Sequence, residues 1–168
     1  RAAATVEFGR AVDNRDPAPA PPKPLTVENL VAEVSRVSSL TPAYVPTVPL
    51  MGRLATAMVK EDPNFITFGD LPEGVKGEFR SGPHHPPKIV LSNDLKRMSD
   101  KGVPIAALAP VLAHELDHFF WYMTKDIQLA KTHEVERAAM ISTAAYIEVM
   151  KKGGPGGYTG KGAKKGDG

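Results

Sequence analysis

Residues 112 to 120 read Leu-Ala-His-Glu-Leu-Asp-His-Phe-Phe, and this run constrains the chain more than any other stretch. On an α-helix, residues four apart stack one turn above each other, so His114 and His118 share a face and can reach a single metal ion. Glu115, one position round, can reach a water on that ion. The run lies in the longest apolar stretch of the chain, near Pro104 to Met123. His114, Glu115, Asp117 and His118 interrupt that stretch, which therefore reads as a buried helix carrying a site rather than a membrane span.

The chain contains no cysteine, so disulfides, thiolate zinc ligands and a cysteine nucleophile are excluded. Only His, Asp and Glu remain to hold a metal. With 168 residues, 42% hydrophobic and 24% charged, the sequence suits one domain with a sizeable core. The formal charge is +2, but residues 151–168 hold five Lys and one Asp, a net of +4, leaving −2 for the rest. The basic balance thus belongs to a short tail without interleaved aromatics, and no nucleic-acid partner is expected.

Three parts follow from composition. Residues 1–25 end in the Pro-rich run Asp16 to Pro24 and read as an extended arm or linker, with Val6 to Phe8 a stretch that could dock as a strand. Residues 26–152 carry the periodic patterns of a folded domain, and 153–168 form a flexible Gly/Lys-rich tail. Within the domain, Thr26 is a good N-cap for a first helix. Its inward row is Val27, Leu30, Val31, Val34, Val37 and Leu40, with Glu28, Glu33 and Arg36 on the other side. Leu50 to Lys60 reads as a second helix with Leu50, Leu54 and Met58 inward.

From Asn64 the period shortens. Phe65 to Phe68, Gly77 to Arg80 and Lys88 to Ser92 read as three strands of a small sheet, with His84-His85-Pro86-Pro87 in a loop before the third. Adjacent histidines rarely converge on one ion, which weighs against His84 and His85 as ligands. Asn93 to Met98 reads as a short helical turn. Pro110 is tolerated only near a helix start, so the site helix is expected to begin, or to kink, within a turn of it.

A catalytic zinc needs three protein ligands and one open position. Downstream candidates are Asp126, His133, Glu134 and Glu136. The histidine that a metzincin would place six residues after His118 is Thr124 here, and the expected glycine is Trp121, so that arrangement fails. Residues 132–152 form a further helix pattern. On its wheel Glu134, Arg137, Glu148 and Lys152 lie on a polar side, whereas Glu136 heads an apolar row with Ala139, Met140, Thr143, Ile147 and Met150. A carboxylate on such a face is costly unless paired, as it would be by a metal; a first-turn acid favoured by the helix dipole describes Glu134 equally well. The small Ala138, Ala139 and Ala144 would allow close approach to the site helix.

On these residues the chain resembles the gluzincin group of zinc metallopeptidases. His114-Glu115-x-x-His118 is followed after 17 intervening residues by Glu136, and the likeness covers roughly Lys88 to Met150. It implies an α+β, zincin-like domain with a small mixed sheet packed on the motif helix and the glutamate helix, preceded by N-terminal helices. It also implies zinc on His114, His118 and Glu136, Glu115 as general base, and a peptide or protein as substrate. The edge strand that pairs with an extended substrate would be Gly77 to Arg80. Oxyanion donors could be Tyr122, His133, Tyr146, His84 or His85. Two departures stand out: Asp117 sits at an inner motif position that is usually uncharged, and Met140 replaces the acid that supports a zinc-bound histidine in thermolysin-like members. Asp117 is then a candidate for that orienting role. The rival readings are a metal-binding or partner-binding domain without turnover, and a helical domain in which both histidines are packed core residues.

Overall fold

The computed structural model describes residues 23–42, 47–124 and 133–152, leaving aside the side chains of residues 133–135. Among these residues, five helices and a three-stranded mixed sheet make an α+β fold. The Pro-rich arm up to residue 22, the tail 153–168, Asp126 and the side chains of His133 and Glu134 lie outside the described residues. Among the described residues, no helix is long and apolar enough to cross a membrane.

Helix α1 (Val27–Leu40) starts where the sequence places it, because the Thr26 hydroxyl accepts from the Asn29 amide at 3.0 Å. Such a cap is worth ~1 kcal/mol. Leu30, Val34 and Val37 are fully buried. Glu33 differs from expectation: it is buried rather than outward, and Arg36 binds it at 2.6 Å. The i,i+3 spacing makes that pairing available, and it offsets the loss of hydration.

Helix α2 (Val48–Glu61) turns a different face inward from the one its leucines mark. Val48, Met51, Gly52 and Ala55 are buried, Leu54 and Met58 flank the core, and Leu50 is exposed. Gly52 decides the rotation. A Cβ there would stand 2.7 Å from Ser35 Cα, so only glycine lets α2 press this closely on α1.

The strands are β1 (Ile66–Gly69), β2 (Gly77–Gly82) and β3 (His85–Ser92), in the order β1-β3-β2. β1 pairs with β3 in parallel and β2 pairs with it antiparallel, with Phe79 opposite Ile89 and Arg80 opposite Lys88. Gly82 faces His85 across a two-residue turn, so His85, Pro86 and Pro87 belong to the strand and not to a loop. Both prolines are tolerated because β1 pairs only with the half of β3 from Ile89 onward and the β2–β3 register shifts between Arg80 and Gly82, opposite them.

After α3 (Asp94–Asp100), helix α4 (Ile105–Thr124) runs through the middle of the molecule and touches α1, α2, β2, β3 and the last helix, α5 (His133–Lys152). α4 begins at Ile105, more than a turn before Pro110, which lies inside it as the sixth residue. One intrahelical hydrogen bond is forgone there. Complete burial of Ala109, Leu112, Ala113 and Leu116, with Leu108 and Phe119 nearly so, compensates for it.

Candidate metal centre and cleft

The His-bearing face of α4 is the part its core packing leaves free. Leu112, Ala113, Leu116 and Phe119 occupy the buried sides, and His114 and His118 emerge half-buried one turn apart, with ring centroids 5.0 Å from each other. Glu136, in the first turn of α5, meets both. Its Oε2 lies 3.1 Å from His114 Nε2 and its Oε1 lies 3.0 Å from His118 Nε2. One ligand atom from each of the three residues falls within 4.8 Å of the others, a grouping able to hold a metal ion.

The row headed by Glu136 faces inward only in part, through Ala139, Ile147 and Met150. The buried face of α5 is Ala139, Ser142, Tyr146 and Val149, whereas Met140 is 60% exposed and Ala144 is exposed. The Glu136 side chain is 55% exposed and sits on the rim of the α4–α5 contact, so burial exerts no strong demand on its charge. Of the small residues on this helix, Ala139 is buried, Ala138 half-buried and Ala144 exposed.

Thr143 was missed as a site residue. Its hydroxyl donates to the Ala139 carbonyl at 2.7 Å and lies 3.0 Å from His114 Nδ1. A hydroxyl that spends its proton on a carbonyl must accept from the imidazole, so Nδ1 carries the hydrogen. His114 Nε2 then presents a lone pair to the Glu136 carboxylate, an arrangement that requires a shared cation, either a proton or a metal. Two neutral imidazoles and one carboxylate are a suitable donor set for zinc, and donors of a tetrahedral zinc lie about 3.3 Å apart. Burial, then the neighbouring His114, pushes the His118 pKa down, which favours the neutral form that a metal ligand needs.

Glu115 is buried, 7% exposed, and its pKa is pushed up to about 7. Burial is the main cause, the negative charge of Glu136 adds to it, and the Phe79 backbone amide pulls the other way. β2 presses on this residue. A Cβ at Gly77 would stand 2.9 Å from Val111 Cγ1, 3.1 Å from Glu115 Cγ and 3.3 Å from its Oε2. Phe79 anchors the same strand, with ring centroids 5.9 Å from Phe119 and 5.5 Å from Tyr122.

Among the described residues Asp117 makes no hydrogen bond to His114 or His118. It is fully buried, lines no part of the cleft, and accepts from Trp121 Nε1 at 3.0 Å through Oδ2. Burial pushes its pKa up, opposed by the nearby Thr47 and Ser142 hydroxyls. Those two hydroxyls lie 2.9 Å apart, although neither meets full hydrogen-bond geometry to Oδ1. Thr47 adopts φ 61°, an uncommon conformation for a β-branched residue. The group ties the start of α2 to α4 and α5 behind the histidines.

A cleft of about 680 Å³ opens between the outer edge of β2 and the triad. Glu115 and His85 line it. Of the other oxyanion candidates, Tyr146 is fully buried with a hydroxyl that has no partner among the described residues, Tyr122 packs against Phe79, and neither it nor His84 lines the cleft. No protein-family model, curated protein or solved structure matches the chain.

Proposed function

We propose that the protein is a zinc-dependent hydrolase that cleaves peptide bonds, with His114, His118 and Glu136 as the metal ligands and Glu115 as the general base. The observation that carries this reading is the convergence of two histidine Nε2 atoms on the two oxygens of one carboxylate, at 3.1 and 3.0 Å, beside a buried glutamate. When bound, zinc supplies Lewis-acid polarisation of a water and of the scissile carbonyl.

The remaining roles fall to the chain. Thr143 holds His114 in the tautomer that leaves Nε2 free. Glu115, whose surroundings favour protonation, takes a proton from the attacking water and returns it to the leaving amine as the carbon–nitrogen bond breaks. An extended substrate is favoured because β2 is an edge strand among the described residues. Lys76 accepts from the Ser92 amide, which puts residue 76 in a hydrogen-bonded pair and turns the backbone groups of Gly77 and Phe79 to the open side, where the Phe79 amide already meets Glu115. Such an edge can pair with a peptide backbone.

The test is metal content and peptide hydrolysis of four proteins side by side. Wild type should bind one zinc and cleave peptides; Glu136→Ala should lose the zinc, and Glu134→Ala should keep it. Glu115→Gln should keep zinc and lose hydrolysis. Full activity in Glu115→Gln would refute the base assignment, and absence of bound zinc at neutral pH would refute the metal. Stoichiometric zinc without any cleavage would leave a binding domain.

A further inference from the structure

The cleft does not end at the triad. Arg80 and His85 line it and also line a second hollow of about 490 Å³, to which Lys88, Asp62, Asn64 and Pro86 contribute. Arg80 and Lys88 are directly opposite each other in the β2–β3 register. Like charges at opposed positions destabilise a sheet, so the pair is costly to the fold itself.

Neutralisation of that pair is incomplete. Glu78 takes only the Arg80 Nε, at 2.9 Å, and among the described residues the terminal guanidinium nitrogens have no partner. Lys88 likewise makes no ion pair among them. Asp62 is engaged locally, accepting from the Asn64 amide at 2.9 Å. The hollow therefore presents a guanidinium fork, an ammonium and an imidazole, beside the Asp62 carboxylate, to whatever lies along β2.

We infer that this hollow receives an acidic side chain of the substrate, so that the protein selects peptides carrying Asp or Glu close to the bond beside Glu115. A carboxylate fits the open end of an arginine fork better than any neutral group. The inference rests on the peptidase reading for the meaning of that bond. From Gly77, which packs on Glu115, to Arg80 is three residues of extended strand, or about 10 Å. The acidic residue is accordingly expected two or three positions from the scissile bond.

The test uses fluorescein-labelled heptapeptides in which one glutamate is walked through every position, each beside its glutamine counterpart. Binding to the zinc-loaded Glu115→Gln protein is read by anisotropy, and cleavage is read with wild type. At one position or two adjacent ones the glutamate peptide should bind about five- to tenfold more tightly than its glutamine partner. Lys88→Glu should abolish that preference, the glutamate peptide then binding no more tightly than its glutamine partner. Equal binding of both sets at every position, or a preference that survives Lys88→Glu, overturns the inference. Cleavage without a charge preference refutes this inference alone. A preference without any cleavage refutes the peptidase reading and leaves an acidic-ligand surface.

Discussion

Glu115 makes the metal-free protein lose stability as pH rises, and the size of the loss follows from its burial. Unfolded, the carboxyl titrates near its ordinary value of 4.5; folded, it is held up to about 7. Between those values the native state binds a proton that the unfolded chain has released, so stability falls as pH rises through that window and levels off above it. Fully expressed, the difference corresponds to about 3 kcal/mol. Asp117, also raised by burial, acts in the same direction, whereas the lowered His118 acts oppositely, because its unfolded form takes the proton. Comparing wild type with Glu115→Gln isolates the glutamate. Urea unfolding in chelator at about pH 5 and about pH 8 should show wild type losing up to roughly 3 kcal/mol more than the variant. With zinc added, the metal's charge should favour the carboxylate and remove most of that difference. If wild type and Glu115→Gln lose the same amount in chelator, burial is not governing this carboxyl and the argument is wrong.

Two further substitutions probe the support around the site. Gly77→Ala places a methyl against Val111 and Glu115 and should cost about 1–3 kcal/mol. It should also lower kcat by about tenfold or more, with zinc content unchanged, because the base is displaced; wild-type kcat would contradict the role given to β2. Thr143→Val removes the acceptor for His114 Nδ1 and should weaken zinc affinity about 10–100-fold, read by competition with a chromogenic chelator. Thr143→Ser should restore it, and an unaffected Thr143→Val protein would dissociate that hydroxyl from metal binding.

Local pattern was enough for most of the scaffold. The Thr26 cap, the helical period of residues 27–40, the three short β runs and the long helices of α4 and α5 are properties of neighbouring residues, and the structure contains each within a few positions. The i,i+4 spacing likewise fixed that His114 and His118 share a face. Rotation of a helix about its own axis was less legible. α2 turns by the demand of Gly52 against Ser35, and α5 buries Ala139 with Ser142, Tyr146 and Val149, leaving Glu136 and Met140 of the expected row exposed. A wheel gives the angular order of residues, but the packed side is chosen by partners distant in sequence.

The sequence by itself determined that two imidazoles and a glutamate ride on one buried helix, that no thiolate can join them, and that an acid-bearing helix follows. Tertiary structure alone decided that Glu136 reaches both histidines from a half-exposed rim, and that Thr143 sets the tautomer of His114. It also sent Asp117 into the core beside Trp121 and set Gly77 against Glu115. Each of these is a contact between separate elements, fixed by how α4, α5 and β2 pack, and packing distance is not encoded in any single periodicity.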